Sequence, residues 1–182
     1  MASGRRHEIV NLSAFVGLAA AYPHLQAQGG VWAQLFNRQT LLLFSFSYFV
    51  GTFLVTPDLD LSEGRVRSKG NWGVLGWLWL PYGALFKHRG LSHTWLVGPL
   101  TRLAYLVVLG LALTGLLAQL APLFGYELRV QARLLETWRP LALSALAGYY
   151  LSQWLHLVAD GIWPDHDLRG WRGVRRPRRR RR

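Results

Sequence analysis

The stretch LAYLVVLGLALTGLLAQLAPLF, residues 103–124, decides the fold of this chain, because it carries no charged side chain. A helix needs about 20 predominantly apolar residues to cross the hydrocarbon core of a bilayer. The run is too long for a strand, and within lipid only helices and closed barrels satisfy their own backbone hydrogen bonds. The stretch therefore predicts a helix that spans a membrane.

Four further stretches lack Asp, Glu, Lys and Arg: residues 9–37, 39–57, 70–86 and 140–159. The second and the last of these have the length of a spanning helix. The first contains Pro23 and several polar residues, and it predicts a helix from about Glu8 to Tyr22. The third is short, rich in Gly and Trp and broken by Pro81, which favours an interfacial or re-entrant segment over a span.

Together these patterns predict an all-α integral membrane bundle of about four spans plus the Trp-rich segment. The expected spans are residues 8–28, 39–57, 93–124 and 139–160. Residues 1–168 are expected to form one helical membrane domain.

The composition of the 182 residues supports this class. The chain is 51% hydrophobic and only 16% charged, whereas an ordinary soluble domain carries about 25% charged residues. Nine Trp, seven Tyr and eight Phe suit a membrane–water interface. Because the chain has no cysteine, disulfides, iron–sulfur clusters and thiolate zinc sites are excluded. A metal would have to be bound by histidine and carboxylate side chains.

The basic residues predict the orientation. With four spans, sixteen of the 21 Lys and Arg residues fall on the face that holds both termini, and four fall on the other. Cytoplasmic loops carry the excess of Lys and Arg, so both termini are expected in the cytoplasm. Residues 169–182 form a polyarginine tail that is expected to be disordered and to lie on anionic lipid headgroups. Contact with nucleic acid, or a role as a topology signal alone, is the less favoured alternative.

Histidines and aspartates recur at the predicted helix ends in four patterns. They are His7, the pair Asp58 and Asp60, the segment HRGLSH from His88 to His93, and the pair His156 and Asp160. Each pattern alone is more often a solvated helix end than a site. With four spans, however, all four lie on the cytoplasmic face, and ionisable groups at membrane depth default to functional roles. Their common position predicts one metal centre.

The spacing of the C-terminal and central pairs suits metal ligands. His156 and Asp160 are four residues apart, so they lie on one face of a helix. An imidazole nitrogen with a carboxylate oxygen suits zinc, manganese or iron. Asp58 and Asp60 follow Pro57, and in an extended segment they point the same way and form a paired anionic site.

The segment HRGLSH has a different geometry. Its two histidines are five residues apart and cannot both point inward from one regular helix. Gly90 breaks the segment, and Ser92 is expected to cap a helix that begins near His93 or to support a ligand. His88 is then expected on a loop and His93 on the first helical turn.

The motif order resembles a known bacterial family. SGRRH at 3–7, TPDLD at 56–60, HRGLSH at 88–93 and the terminal HxxxD are similar to the uncharacterised membrane metal-binding proteins of bacteria. That family in turn resembles the YdjM-like inner-membrane metal-dependent hydrolases and, more distantly, the zinc-dependent phospholipase C and nuclease P1 group. The resemblance implies the bacterial inner membrane as the location. It implies the following ligands: His7, Asp58, Asp60, His88, His93, His156 and Asp160.

Seven ligands exceed the four that one zinc ion takes, and they suit two metals about 3.5–4 Å apart, bridged by Asp58 or Asp160. Arg89 is the candidate to hold a substrate phosphate, although it could equally anchor the chain at lipid headgroups. We therefore expect a metal-dependent hydrolase of phosphoester or lipid-headgroup substrates at the cytoplasmic face. The alternatives are a metal-binding or metal-handling membrane protein without turnover and, third, a structural membrane protein whose tail recruits partners.

Overall fold

The computed structural model describes residues 4–30, 37–61, 67–86, 90–126 and 138–164. All regular structure in these ranges is helical, which confirms the predicted all-α class. The α-helices are α1 (Gly4–Ala27), α2 (Arg38–Phe53), α3 (Arg67–Asn71), α4 (Leu80–Leu85), α5 (Val97–Leu120) and α6 (Trp138–Ala159). Short 3₁₀ helices cover Pro57–Asp60, Gly73–Trp79, Leu91–His93 and Ala121–Phe124.

Helices α2 and α6 pack in parallel with their backbones in close contact. A Cβ atom added at Gly148 would lie 2.2 Å from the carbonyl oxygen of Phe44, and one added at Gly51 would lie 2.0 Å from Ser152 Oγ. Further along, Gln153 Nε2 donates to the Gly51 carbonyl at 3.1 Å. Small residues that let helix backbones approach are typical of helix packing in lipid. Because the two helices are parallel, their C-terminal ends meet at the same end of the bundle.

Helix α1 runs against this pair in the opposite direction. The Tyr48 hydroxyl of α2 donates to the Asn11 carbonyl of α1 at 2.7 Å, and Phe15 contacts the Tyr48 ring. The helix is longer than predicted, since it begins at Gly4 and continues through Pro23. Its first turns therefore lie beside the last turns of α2 and α6.

Helix α5 begins later than predicted. The sequence suggested a start near His93 with Ser92 as the cap, but Leu91–His93 forms a separate 3₁₀ turn and α5 starts at Val97. The N-cap residue Leu96 makes no side-chain capping bond. The Gly98 amide in the first turn donates instead to Thr94 Oγ1 at 2.8 Å. Gly98 also lets the turn fold back onto the helix, because a Cβ there would lie 2.3 Å from the Ser92 carbonyl oxygen.

Within the described ranges one helix is long and apolar enough to cross a membrane. It covers Val97–Phe124, with a mean hydropathy of 2.1, and none of its apolar window is buried. This helix contains the uncharged stretch 103–124. Among the described residues, the other three predicted spans do not meet this criterion of length and hydropathy. The four-span arrangement therefore stays a prediction.

The Trp-rich segment forms a 3₁₀ helix and the short helix α4. Both are too short to span a bilayer. Their inner face carries Trp79 and Tyr82, which form a buried cluster with Val55, Leu59 and Tyr149, while Val74 and Trp77 are exposed. Because Leu59 belongs to the Pro57–Asp60 turn, the cluster anchors this turn and so positions its two aspartates.

Candidate metal centre

Six of the predicted site residues converge at one end of the bundle. His7 lies on the first turn of α1, and His156 and Asp160 lie at the end of α6. The Pro57–Asp60 turn after α2 carries Asp58 and Asp60, and the turn before α5 carries His93. The three histidines are almost fully buried. Local sequence could propose each residue, but only the packing of four helices brings them together.

These side chains form two groups that share one carboxylate. His7, His156 and Asp160 form the first group, and Asp58, His93 and Asp160 form the second. Within each group one potential ligand atom per residue lies within 4.8 Å of the others. Asp160 is therefore common to both, as expected of a bridging carboxylate. Whether each residue ligates a metal stays a prediction.

The distances around His156 fit a metal better than hydrogen bonds. His156 Nε2 lies 3.6 Å from Asp58 Oδ2 and 3.7 Å from Asp160 Oδ2, which is too long for a hydrogen bond. Within the described chain this buried nitrogen has no hydrogen-bond partner. Ligand atoms around a tetrahedral zinc ion lie about 3.3–3.6 Å apart, given Zn–N and Zn–O bonds near 2.0–2.2 Å. A small contraction around a cation would satisfy all three groups.

Asp160 faces a different histidine with each oxygen. Its Oδ1 lies 3.5 Å from His7 Nε2, and its Oδ2 faces His156. The His7 and His156 rings are stacked with centroids 3.7 Å apart and planes inclined by 6°. Lone pairs of imidazole nitrogens lie in the ring plane, so two parallel rings direct their nitrogens side by side and not at a single point.

Electrostatics keep Asp58 ionised. Burial raises the pKa of its carboxyl, but the facing His156, together with the charges of His7 and His93, brings the pKa down to about 2. Asp58 is thus a charged oxygen donor at neutral pH. A carboxylate with histidine nitrogens is the donor set expected for zinc, manganese or iron.

Asp60 does not point the same way as Asp58, so the expectation of an extended DxD pair is wrong. The pair lies on a 3₁₀ helix, where residues two apart are on different faces. Asp60 Oδ2 lies 3.1 Å from His93 Nδ1 and accepts a hydrogen bond from Ser92 Oγ. This is the position of a carboxylate that orients a metal-binding histidine from behind.

A buried arginine supports this arrangement, and the sequence reasoning assigned it no role. Arg102 is fully buried on α5. It donates to the Ser92 carbonyl at 2.8 Å, to Gln153 Oε1 at 3.0 Å and to the Tyr149 hydroxyl at 3.4 Å. It therefore ties the Ser92–His93 turn to α6. Its position as a charged residue inside a predicted span could have indicated such a role from the sequence.

The candidate metal centre opens into a small pocket with a volume of about 20 Å³. The pocket wall contains the site residues His7, Asp58 and His156, and its other members are Gly4, Glu8, Thr52, Phe53, Thr56, Arg67 and Ser68. Glu8 Oε1 accepts from Arg67 Nε at 2.7 Å across its mouth. Sequence reasoning used Arg67 only for topology and gave no role to Thr56 or Ser68.

Two candidates and the tail lie outside the described residues. His88 and Arg89 belong to the range 87–89, and the polyarginine tail lies beyond residue 164. The expected roles of His88 as a ligand and of Arg89 as a phosphate-binding residue stay predictions.

Comparison with known proteins supports metal binding by this chain. A family model described as "Uncharacterized metal-binding protein (DUF2227)" matches residues 2–169. An uncharacterized protein of Aquifex aeolicus (strain VF5) is 38% identical over 63 residues, which is 35% of this chain and 43% of the relative's length. No solved structure matches the chain significantly. The likeness to YdjM-like hydrolases is not tested by these matches. Because the family match covers most of the 182 residues, the chain belongs to the family of uncharacterized metal-binding proteins.

Proposed function

We propose that the chain is a membrane-embedded hydrolase that cleaves phosphoester bonds with a two-metal site. The substrate is a small-molecule phosphoester or a lipid headgroup. The observation that carries the proposal is the pair of ligand groups that share Asp160. Two metals about 3.5–4 Å apart are the arrangement that phosphatases and nucleases use for in-line displacement.

The stacked histidines support two metals over one. The imidazoles are parallel and 3.7 Å apart, with one Asp160 oxygen opposite each, so the two rings are not both aimed at a single ion. Two metals would be held by His7, His156, Asp58 and His93, with the Asp160 carboxylate common to both. Zinc is the proposed metal, because the ligands are nitrogen and carboxylate oxygen, with manganese or iron as alternatives.

The chain's own groups would prepare the site for hydrolysis. Asp60 holds the His93 ring through its Nδ1, which directs Nε2 away from Asp60. Burial of the histidines keeps competing water away from the ligands. When bound, the metals would supply Lewis acidity and activate water at neutral pH. The pocket beside Asp58 provides the open side that a purely structural metal site would lack.

The location we propose is the bacterial inner membrane, multi-pass, with both termini and the site in the cytoplasm. The exposed apolar helix Val97–Phe124 supports membrane embedding. The excess of basic residues on the predicted inner face supports the orientation. The polyarginine tail would then lie on anionic headgroups, which concentrates the protein near charged lipids.

The test is a combined measurement of metal content and turnover on detergent-purified protein. We expect about two equivalents of zinc, manganese or iron per chain. We also expect metal-dependent hydrolysis of bis(p-nitrophenyl) phosphate, p-nitrophenyl phosphate or short-chain phosphatidic acid, abolished by a chelator and restored by metal. Two equivalents of metal without turnover on this panel would favour the metal-handling alternative. Absence of metal would refute both.

A further inference from the structure

We propose that Thr56, Ser68 and Arg67 form an oxyanion subsite beside the metal centre, which holds the non-bridging oxygens of a phosphoryl group. The inference rests on the proposed function and names the substrate chemistry that the pocket recognises. All three residues line the same pocket as the ligand candidates Asp58 and His156. None of the three was singled out as a substrate contact by the sequence motifs.

Two buried hydroxyl groups in this wall make no hydrogen bond within the described chain. Thr56 is 5% exposed and Ser68 is 6% exposed, and neither Oγ atom has a partner there. A buried hydroxyl without a partner is destabilising, and native structures retain few of them without a reason. Both belong to the pocket wall that also contains His7, Asp58 and His156. Oxygens of a ligand bound in the pocket would supply the partners that these hydroxyls lack.

Arg67 supplies the cation. Its Nε is bound to Glu8 at 2.7 Å, and its side chain is about half exposed at the mouth. This contact steadies the guanidinium and leaves its terminal nitrogens to donate to an anion. A guanidinium fork matches two phosphate oxygens, and hydroxyl donors complete the cradle. Two metals on one side and the subsite on the other would orient a phosphoryl group for attack.

The experiment is a calorimetric titration of inorganic phosphate into the metal-loaded full-length protein. The variants are Thr56→Val, Ser68→Ala and Arg67→Gln. The matched control is Thr114→Val, because Thr114 is exposed on α5 and its hydroxyl donates only to the Gly110 carbonyl of its own helix. Since a hydrogen bond to a charged group is a strong one, each pocket variant should bind phosphate about tenfold or more weakly. The control should bind like the parent, and metal content should stay constant throughout.

Thermal stability separates ligand binding from a structural role. Removing a hydroxyl that makes no hydrogen bond to the described residues should leave the melting temperature unchanged or raise it. Thr56→Val and Ser68→Ala should therefore weaken phosphate binding without destabilisation. Unchanged phosphate affinity in all three variants, or a lower melting temperature in both hydroxyl variants, would overturn the subsite. A parent that binds metal and phosphate but hydrolyses nothing would refute the proposed hydrolase while leaving the subsite intact.

Discussion

Replacing Asp60 by Asn should weaken metal binding without removing a metal. The carboxylate is fully buried, lies 3.1 Å from His93 Nδ1 and also accepts from Ser92. Asn keeps the shape and one acceptor but removes the charge from the bond to His93. Loss of such a supporting carboxylate costs about 10- to 100-fold in metal affinity, which corresponds to about 1.4–2.8 kcal/mol. A charge-assisted hydrogen bond independently contributes about 1.5–3 kcal/mol, so the two magnitudes agree.

The comparison variant is Asp58→Asn, because Asp58 faces His156 Nε2 and belongs to the second ligand group. We expect Asp58→Asn to reduce the metal stoichiometry itself. Competition of zinc against a chromophoric chelator gives the affinity, and elemental analysis gives the stoichiometry. Ser92→Ala should have a smaller effect in the same direction, since it removes the hydrogen bond from Ser92 and leaves the contact between Asp60 and His93. If Asp60→Asn loses a full equivalent while Asp58→Asn keeps both, the roles drawn from the geometry are reversed.

Three further outcomes are expected. His156→Ala should lose most bound metal in elemental analysis, whereas Arg89→Ala should keep it, because a guanidinium cannot ligate a metal; the reverse result would refute the ligand assignment. Gly148→Ala should destabilise the protein by about 1–3 kcal/mol in a denaturant titration, since its Cβ would meet a backbone oxygen of α2, while Gly110→Ala, with nothing within 4 Å, should be neutral or stabilising. The chain has no native cysteine, so single cysteines can report the orientation. Tyr126→Cys should react with an impermeant maleimide in cells whose outer membrane is permeabilised, whereas Asn71→Cys should react only after lysis. Equal labelling of the two variants would refute the orientation.

Local sequence pattern was sufficient for the helical class and for most of the site candidates. An uncharged run such as 103–124 has few structural options, because its backbone must satisfy its own hydrogen bonds. The pairing of His156 with Asp160 follows from helical periodicity alone. These inferences hold because the interactions involved are within one element.

Helix boundaries needed the three-dimensional context. Pro23 lies inside α1, although a proline removes a backbone donor. The start of α5 moved from His93 to Val97, because the preceding turn folds back over Gly98 and is bonded to Arg102. Contacts between distant segments decided these positions, and no local propensity reports them.

The tertiary structure decided the different roles of the polar residues at the site. Asp58 and Asp60 are equivalent by sequence pattern, yet a 3₁₀ turn directs one at His156 and the other at His93. The sharing of Asp160 by two ligand groups depends on the start of α1 lying beside the ends of α2 and α6. Metal binding requires ligand atoms to lie within a few ångströms of one another, and here those atoms belong to residues far apart in the chain. Sequence by itself therefore determined which side chains could bind a metal, and only the packing of the helices decided which of them face one another.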